Sequence, residues 1–516
     1  MDRRDFLRMS AAATAASTAA GALVGCAPLT GRLSGVPVAP GAGPWPGMEE
    51  RPADLAGLRR LSTGPTLQER RRVAEIGLAG WIEEQLAADP LDDGDLGWRL
   101  RRMDTPWRAP DELDGRRPEL VRQELAAVTL LRRIYGDHPL TEQVVEQWLD
   151  HFNISVDKGE VWRLAPTWDR EVPRAHALGR FDELLVASVR APAMLTYLDN
   201  RNSLPEAPNE NHARELLELH SLGVEGGYGQ ADVRALARAL TGWTVREHLR
   251  PDRFHFDADR HDTGAKRLPG LDMDIDAEAA RGVSDTDRSA GEAEVEAVIA
   301  RLATHPSTAR RVALRLARRF LADDPLAEAP EAVARTEAAF LASGGDLRAT
   351  LRCLLLDGIW PLLAEGGALP PKLKRPADFV VSALRVTAAE TDAGRPVQDA
   401  LAAMGHAPYR WPTPDGPPDT AAPWLGGLQA RWAFAAGLVG AQWRGTRIDT
   451  TALATASGAT SPPELVDRLA GLVLGGPLVA DQRNAIVAAL PAEADEDETA
   501  AITLAALLAS PAFQWR

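Results

Sequence analysis

Two histidines and a glutamate on one expected helix carry the strongest chemical signal in this chain. They fall in the block NENHARELLELHSLGVEGGYGQADVRALARALTGW, from Asn209 to Trp243, where His212 and Glu215 stand three positions apart. On a helix that spacing lets an imidazole and a carboxylate reach one divalent ion, such as zinc, manganese or calcium, or share acid–base work. Winding at about 100° per residue gathers Glu215, Leu219, His212, Leu216 and His220 within about 140°, with Arg214 and Glu218 opposite. The buried face would then be half ionisable, and buried charges must be paired or neutralised. A purely structural network meets the same demand, with Glu215 on an arginine and both histidines on carbonyls. His220 lies two turns further on, about 12 Å along a regular axis, too far to join His212 on one ion.

A second constellation follows in FHFDADRHDTGAK, residues 254–266. Phe254 and Phe256 suit a short extended segment, and His261, Asp262 and Lys266 around Gly264 suit a loop that lines a site. Specific polar residues on loops are good functional hints. The alternative is a solvated loop pinned by its aromatics. A third candidate is WLDHF, 148–152, where His151 could complete a site with His212 or simply end a half-buried helix. Asp272, Asp274, Asp276 and Glu278 alternate as calcium ligands do. They lack the glycine and final glutamate of a helix–loop–helix calcium site, so a solvated acidic loop is expected there and at Glu493–Glu498.

Helical periodicity must position all of this. Thr66-Leu67-Gln68-Glu69 is a capping box before ERRRVAEIGLAGWIEEQL. Asn209 and Asn211 suit the start of the signature helix, and Gly223 its left-handed stop. Further runs with apolar residues three and four apart continue to Ser461-Pro462-Pro463-Glu464, a cap with an N1 proline. No run alternates convincingly with period two, and only 4 Tyr and 10 Phe accompany abundant Ala and Leu. The expected class is all-α: a large multi-helical body with long polar loops near 251–290 and 405–426. A division into two lobes near 271–291 and a single body are both compatible with the pattern. Trp243 reads as a core anchor, and Cys353, in an apolar helical run, as a buried thiol.

At the N-terminus, Arg3 and Arg4 before Phe6-Leu7 look like a twin-arginine export signal. The segment after them is too short and too mildly apolar to span a bilayer. Leu23-Val24-Gly25-Cys26 looks like a lipoprotein cleavage box, with Cys26 taking the lipid. The expected organisation is a signal at 1–25, a Pro/Gly-rich tether at 26–50 and a helical domain at 51–516. Such a protein is a membrane-anchored lipoprotein facing the periplasm or the cell exterior. With Cys26 acylated, one cysteine remains and no intrachain disulfide can form. The net charge of −15, from 73 acidic and 58 basic residues, argues against a nucleic-acid surface. The chain has no Gly-x-Ser-x-Gly elbow, phosphate loop, dinucleotide fingerprint or Cys-x-x-Cys, which disfavours serine hydrolysis, nucleotide chemistry and thiol redox.

The signature block resembles that of the bacterial domain-of-unknown-function family 1800. Leu61-Ser62-Thr63-Gly64-Pro65-Thr66, the segment 191–200, Lys372–Pro376 and Leu508–Phe513 extend the resemblance over nearly the whole mature chain. His151 and the His-Asp-x-Gly-x-Lys run at 261–266 match family elements too. His406 stands where the family often has Gln, and Pro417 where it has an aromatic after glycine. If the loop around them closes over a site, specificity here differs. The resemblance implies no established reaction. It does imply a frequent companion, an exported protein of domain-of-unknown-function family 1501, which resembles alkaline phosphatases and sulfatases. Two roles follow as expectations: a binding or accessory protein acting with such a partner, or a hydrolase of an envelope substrate that uses a metal or a carboxylate–histidine pair.

Overall fold

A computed structural model describes residues 51–89, 96–246, 252–275 and 290–516. The signal, Cys26, the tether, Asp276 and Glu278 lie outside the described residues. The body is mostly helical, as the periodicity requires. Strands among the described residues are confined to three antiparallel pairs: Trp243–Val245 with Phe254–Phe256, Lys266–Leu268 with Met273–Ile275, and Glu390–Thr391 with Thr446–Arg447. The extended segment expected at Phe254 and Phe256 is the second strand of the first pair.

The chain divides into two compact units. The smaller holds the described residues up to 81 together with 371–405 and 420–516. The larger holds 82–370 and 406–419. No division falls near 271–291. The acidic composition there imitates a linker, yet the chain on either side is tied into the larger unit: Arg190 pairs with Glu292 and Glu296 at 2.7 and 2.8 Å, and Lys266 with Glu294 at 2.7 Å.

In the smaller unit, Thr66 and Glu69 form the expected reciprocal cap, with Thr66 N–H donating to Glu69 Oε2 at 2.8 Å. The helix that follows is interrupted at Gly77, whose φ of 73° is not helical. Helices Pro376–Val386, Leu428–Val439, Pro462–Leu474 and Glu496–Ala509 bury Phe379, Phe434, Leu469 and Leu504 completely. Ser461 caps the third of these through Glu464 N–H. Asp495 caps the fourth, so the acidic cluster at 493–498 opens a helix, where its charge suits the positive end of the helix dipole.

In the larger unit, helix Pro139–His151 is buried along almost its whole length. It carries Glu142 and Glu146 four residues apart, and buried arginines meet both. Arg174 reaches Glu142 at 2.6 Å, Arg133 reaches Glu146 at 2.7 Å, and Arg319 pairs with the other oxygen of Glu146. Burial without such partners would be prohibitive. Trp243 is fully buried, as expected of an anchor. Cys353 is only half-buried, against the expectation of a core thiol. It opens a π-helical segment, Cys353–Ile359, whose wider turn departs from the regular phase that would have hidden it.

Candidate functional site

Asn209 opens the signature helix as a cap: its Oδ1 accepts from Asn211 N–H at 2.8 Å, and its Nδ2 donates to Asp199 O at 3.0 Å. Regular α-helix lasts only from Glu210 to Glu215. Leu216–His220 is a π-turn. The i→i+5 pattern changes the phase of every side chain after Leu216, so a uniform 100° wheel misplaces His220. Gly223, at φ 84°, closes the segment in the left-handed conformation expected of it.

The result is a sealed cluster of imidazoles. His212 and His220 are fully buried, and among the described residues neither ring nitrogen of either has a hydrogen-bond partner. His151, at 2% exposure, donates from Nε2 to the carbonyl of His220 at 3.1 Å, satisfying an acceptor that the end of the π-turn leaves open. The His151 and His220 rings stand 6.2 Å apart, with Phe152 5.1 Å from His220. Thus His151 meets the signature segment at His220, and not through a hydrogen bond to His212. Burial lowers the pKa of His212 to about 4. Burial also holds His151 and His220 well below the ordinary histidine value, with Arg311 and Arg315 adding repulsion at both. All three are neutral at physiological pH.

Of His212, Glu215 and His220, Glu215 is the one that keeps access to solvent. It is half-buried, and burial raises its pKa, helped by Glu218 and Asp415 against the opposing charge of Arg214. Tyr197 also feels Asp415. Burial, then Asp415 and Glu215, push its phenol up to about 12. Asp415 arrives on the segment 406–419. Tyr197 Oη donates to Pro412 O at 2.9 Å, and Asn153 Nδ2 donates to Trp411 O and Thr413 O at 3.1 and 2.7 Å. Tyr409 Oη donates to Asp169 at 2.8 Å. Gly416, at φ 74°, packs on the backbone of helix Pro139–His151 so tightly that a Cβ would come 2.0 Å from Asp150 O. The loop in which the sequence departs from the family pattern therefore packs against Tyr197, Asn153 and helix Pro139–His151, and Pro417 is buried in it.

The second constellation is separate and largely paired within itself, though His261 Nε2 makes no hydrogen bond among the described residues. His261 donates from Nδ1 to Thr241 O at 2.7 Å, while its Nε2 lies 3.4 Å from Glu294 Oε2. Lys266, fully buried in its side chain, donates to the same oxygen at 2.7 Å. Burial works to raise the Glu294 pKa, but His261 and Lys266 outweigh it and hold the carboxyl below its usual value. Asp262 takes a two-pronged contact from Arg238, at 2.6 and 3.0 Å. Gly264 lies close against Arg238, 2.7 Å from where a Cβ would stand. The His-Asp-x-Gly-x-Lys run thus staples its loop to helices Gln230–Ala239 and Ala290–Ala303. Of the acidic alternation, Asp272 and Asp274 are exposed and both pair with Arg267 at 2.7 Å.

Among the described residues, no three His, Cys, Asp or Glu side chains stand together as a metal ion would require. His212 and Glu215 share a helix, but one is sealed and the other is half-buried. The model of the family described as "Protein of unknown function (DUF1800)" matches residues 57–515. The chain belongs to that family. No curated protein matches it, and no solved structure matches it. The family's signature thus covers two different kinds of polar residue in this member: a buried imidazole cluster and an accessible carboxylate.

Sequence reasoning did not find Asp415, Tyr197, Asn153, Glu294 or the buried arginines. The Glu142 and Glu146 spacing on a helix otherwise rich in large apolar residues was the available signal for the ion network. Nothing local linked Asp415 to Glu215, since 200 residues separate them.

Proposed function

We propose that this chain is an exported, lipid-anchored cell-envelope protein that works by binding, as an accessory to a partner. One observation carries the reading: most polar groups that could have done chemistry are spent inside the fold. The three imidazoles are sealed, Lys266 is paired, and Asp262 is held by an arginine. A general base must come within hydrogen-bond reach of the proton it takes, and groups sealed in the core do not present themselves to a substrate. The twin arginines and Cys26 support the export route and anchor as sequence features. A lipid anchor beside an acidic body also suits recruitment of an exported companion of family 1501.

The test is co-expression with such a companion, each carrying its native signal, followed by gentle solubilisation and size-exclusion chromatography. Co-elution that survives dilution to about 1 μM, with release from membranes on Cys26→Ser, is the expected outcome. Two separate peaks at all concentrations would sink the accessory role.

A second reading rests on Glu215. A half-buried carboxyl whose pKa is raised by burial, with Glu218 and Asp415 adding to the shift, can hold a proton to donate. It favours a carboxylate-dependent hydrolase of an envelope ester or glycoside. Its mark would be turnover of such a substrate that is lost in both Glu215→Gln and Asp415→Asn.

A further inference from the structure

Helix Pro306–Phe320 of the larger unit buries Val312, Ala313, Leu316 and Ala317 on one side. Arg311, Arg315 and Arg318 share another. Residues four and seven apart fall within about 60° of one another, and the three span about 10 Å along the axis. All three are half-buried.

The fully buried arginines of this unit meet carboxylates: Arg174 meets Glu142, and Arg133 and Arg319 meet Glu146. The three on this face have no ion pair among the described residues. Arg311 Nε donates to Leu219 O at 2.9 Å, and Arg318 Nε to Asp323 O at 3.3 Å. Arg315 makes no hydrogen bond among the described residues. Yet none of its nitrogens, and neither terminal nitrogen of Arg311 or Arg318, is among the sealed polar atoms. These donors reach solvent and can meet a ligand.

The arginines also repel one another. Burial and then Arg311 lower the pKa of Arg315 to about 10, although Asp150 and Asp419 work to raise it. Burial lowers that of Arg311 as well, against Glu218, which accepts a hydrogen bond from Tyr228 Oη at 3.3 Å. Both stay charged at neutral pH, and an anion in contact with them would relieve the cost. The signature segment sets the position of Arg311. Leu219 O belongs to the π-turn, and Gly223 packs so closely that a Cβ would stand 3.3 Å from Arg311 Nη1.

We propose that the face formed by Arg311, Arg315 and Arg318 binds a phosphate dianion, free or as a monoester. A phosphate brings two charges and three oxygens, enough to take forked contacts from two guanidiniums at once. A carboxylate monoanion answers only one fork. A long polyanion would run into Asp150, Asp419 and Glu218 around the face. The site rests neither on the accessory role nor on Glu215, and its failure would leave both untouched.

The experiment uses the whole folded protein at pH 7.5, with ionic strength held constant by chloride. Inorganic phosphate and glycerol phosphate are titrated by calorimetry, with acetate as the monoanion, and urea midpoints are read with and without each. The expected result is saturable binding of both phosphates, the tighter one naming the free or the esterified group as the source. Saturation should raise the urea midpoint, and acetate should not. Affinity should fall about tenfold or more in Arg315→Gln and in Arg318→Gln. Without phosphate, Arg315→Gln should keep the wild-type midpoint, because it removes no bond; a structural arginine would not behave so. Arg310→Gln, an exposed neighbour off this face that pairs with Glu337 at 3.7 Å, should bind as the wild type does. Four outcomes overturn the proposal: no phosphate binding at up to about 10 mM, acetate binding as tight as phosphate, phosphate binding that survives Arg315→Gln, or a loss in Arg310→Gln equal to that in Arg315→Gln.

Discussion

Acid should unfold the larger unit through its sealed histidines, and the size of the effect can be worked out. In the unfolded chain His212 titrates near 6.5; in the fold burial lowers it to about 4. Between these values the unfolded chain holds a proton that the folded one does not, so stability is complete above about pH 6.5 and falls as pH drops toward 4. At pH 5 the loss from His212 alone is roughly 2 kcal/mol, and below pH 4 it approaches roughly 3 kcal/mol. His151 and His220 are shifted the same way and deepen the loss. The perturbation that isolates one contribution is His212→Leu. It is close in volume, and it removes two ring nitrogens that have no partner among the described residues, so the cost at neutral pH should be small. Urea midpoints followed by tryptophan fluorescence at pH 7.5 and pH 5 supply the four numbers required. The stability lost between those two pH values should be about 2 kcal/mol smaller in the variant than in the wild type. Equal losses in the two proteins would refute the reasoning, because the burial of His212 would then not be linked to its proton.

Three further outcomes follow from the same geometry. Glu294→Gln leaves Lys266 buried without its counter-charge and should cost about 3–5 kcal/mol, while the double change Glu294→Leu with Lys266→Met should recover most of that in urea unfolding. Asp262→Asn weakens a two-pronged but partly exposed contact with Arg238 and should cost only about 1 kcal/mol, measured the same way. Gly416→Ala meets both an unfavourable φ and the carbonyl of Asp150, so limited proteolysis should cut within 406–419 faster than in the wild type, with the rest of the chain unaffected.

The helices could be read from the sequence because their signals are local. The Thr66–Glu69 box, Asn209 at the head of the signature helix, Gly223 at its foot and the proline after Ser461 each act within four residues. The π-turn at Leu216–His220 could not be read in the same way, since no composition rule marks it, and it decides where His220 sits. The candidate residues divided along a similar line. The type and neighbours of His151 suggested an approach to His212, whereas its hydrogen bond is to His220. That His261 and Lys266 converge on Glu294 was not visible, because the partner is 28 residues or more away in the chain. A polar residue in a hydrophobic pattern announces that it has a partner, but the partner's identity is a property of the tertiary fold.

The segment 406–419 has a consequence for how this protein comes into being. It belongs to the larger unit, yet both of its neighbours in sequence belong to the smaller one. A ribosome delivers residues 82–370 long before it delivers Tyr409, Asn153's carbonyl partners or Asp415. Until then Asp169 lacks the phenol that bonds to it, Glu215 lacks its neighbouring acid, and Asn153 is unsatisfied. The nascent larger unit is therefore held incomplete, and the carboxylate site is assembled only when synthesis is well advanced. Each of these contacts becomes a checkpoint on completion: a chain arrested before residue 406 would carry the whole signature block and still lack the surroundings of Glu215.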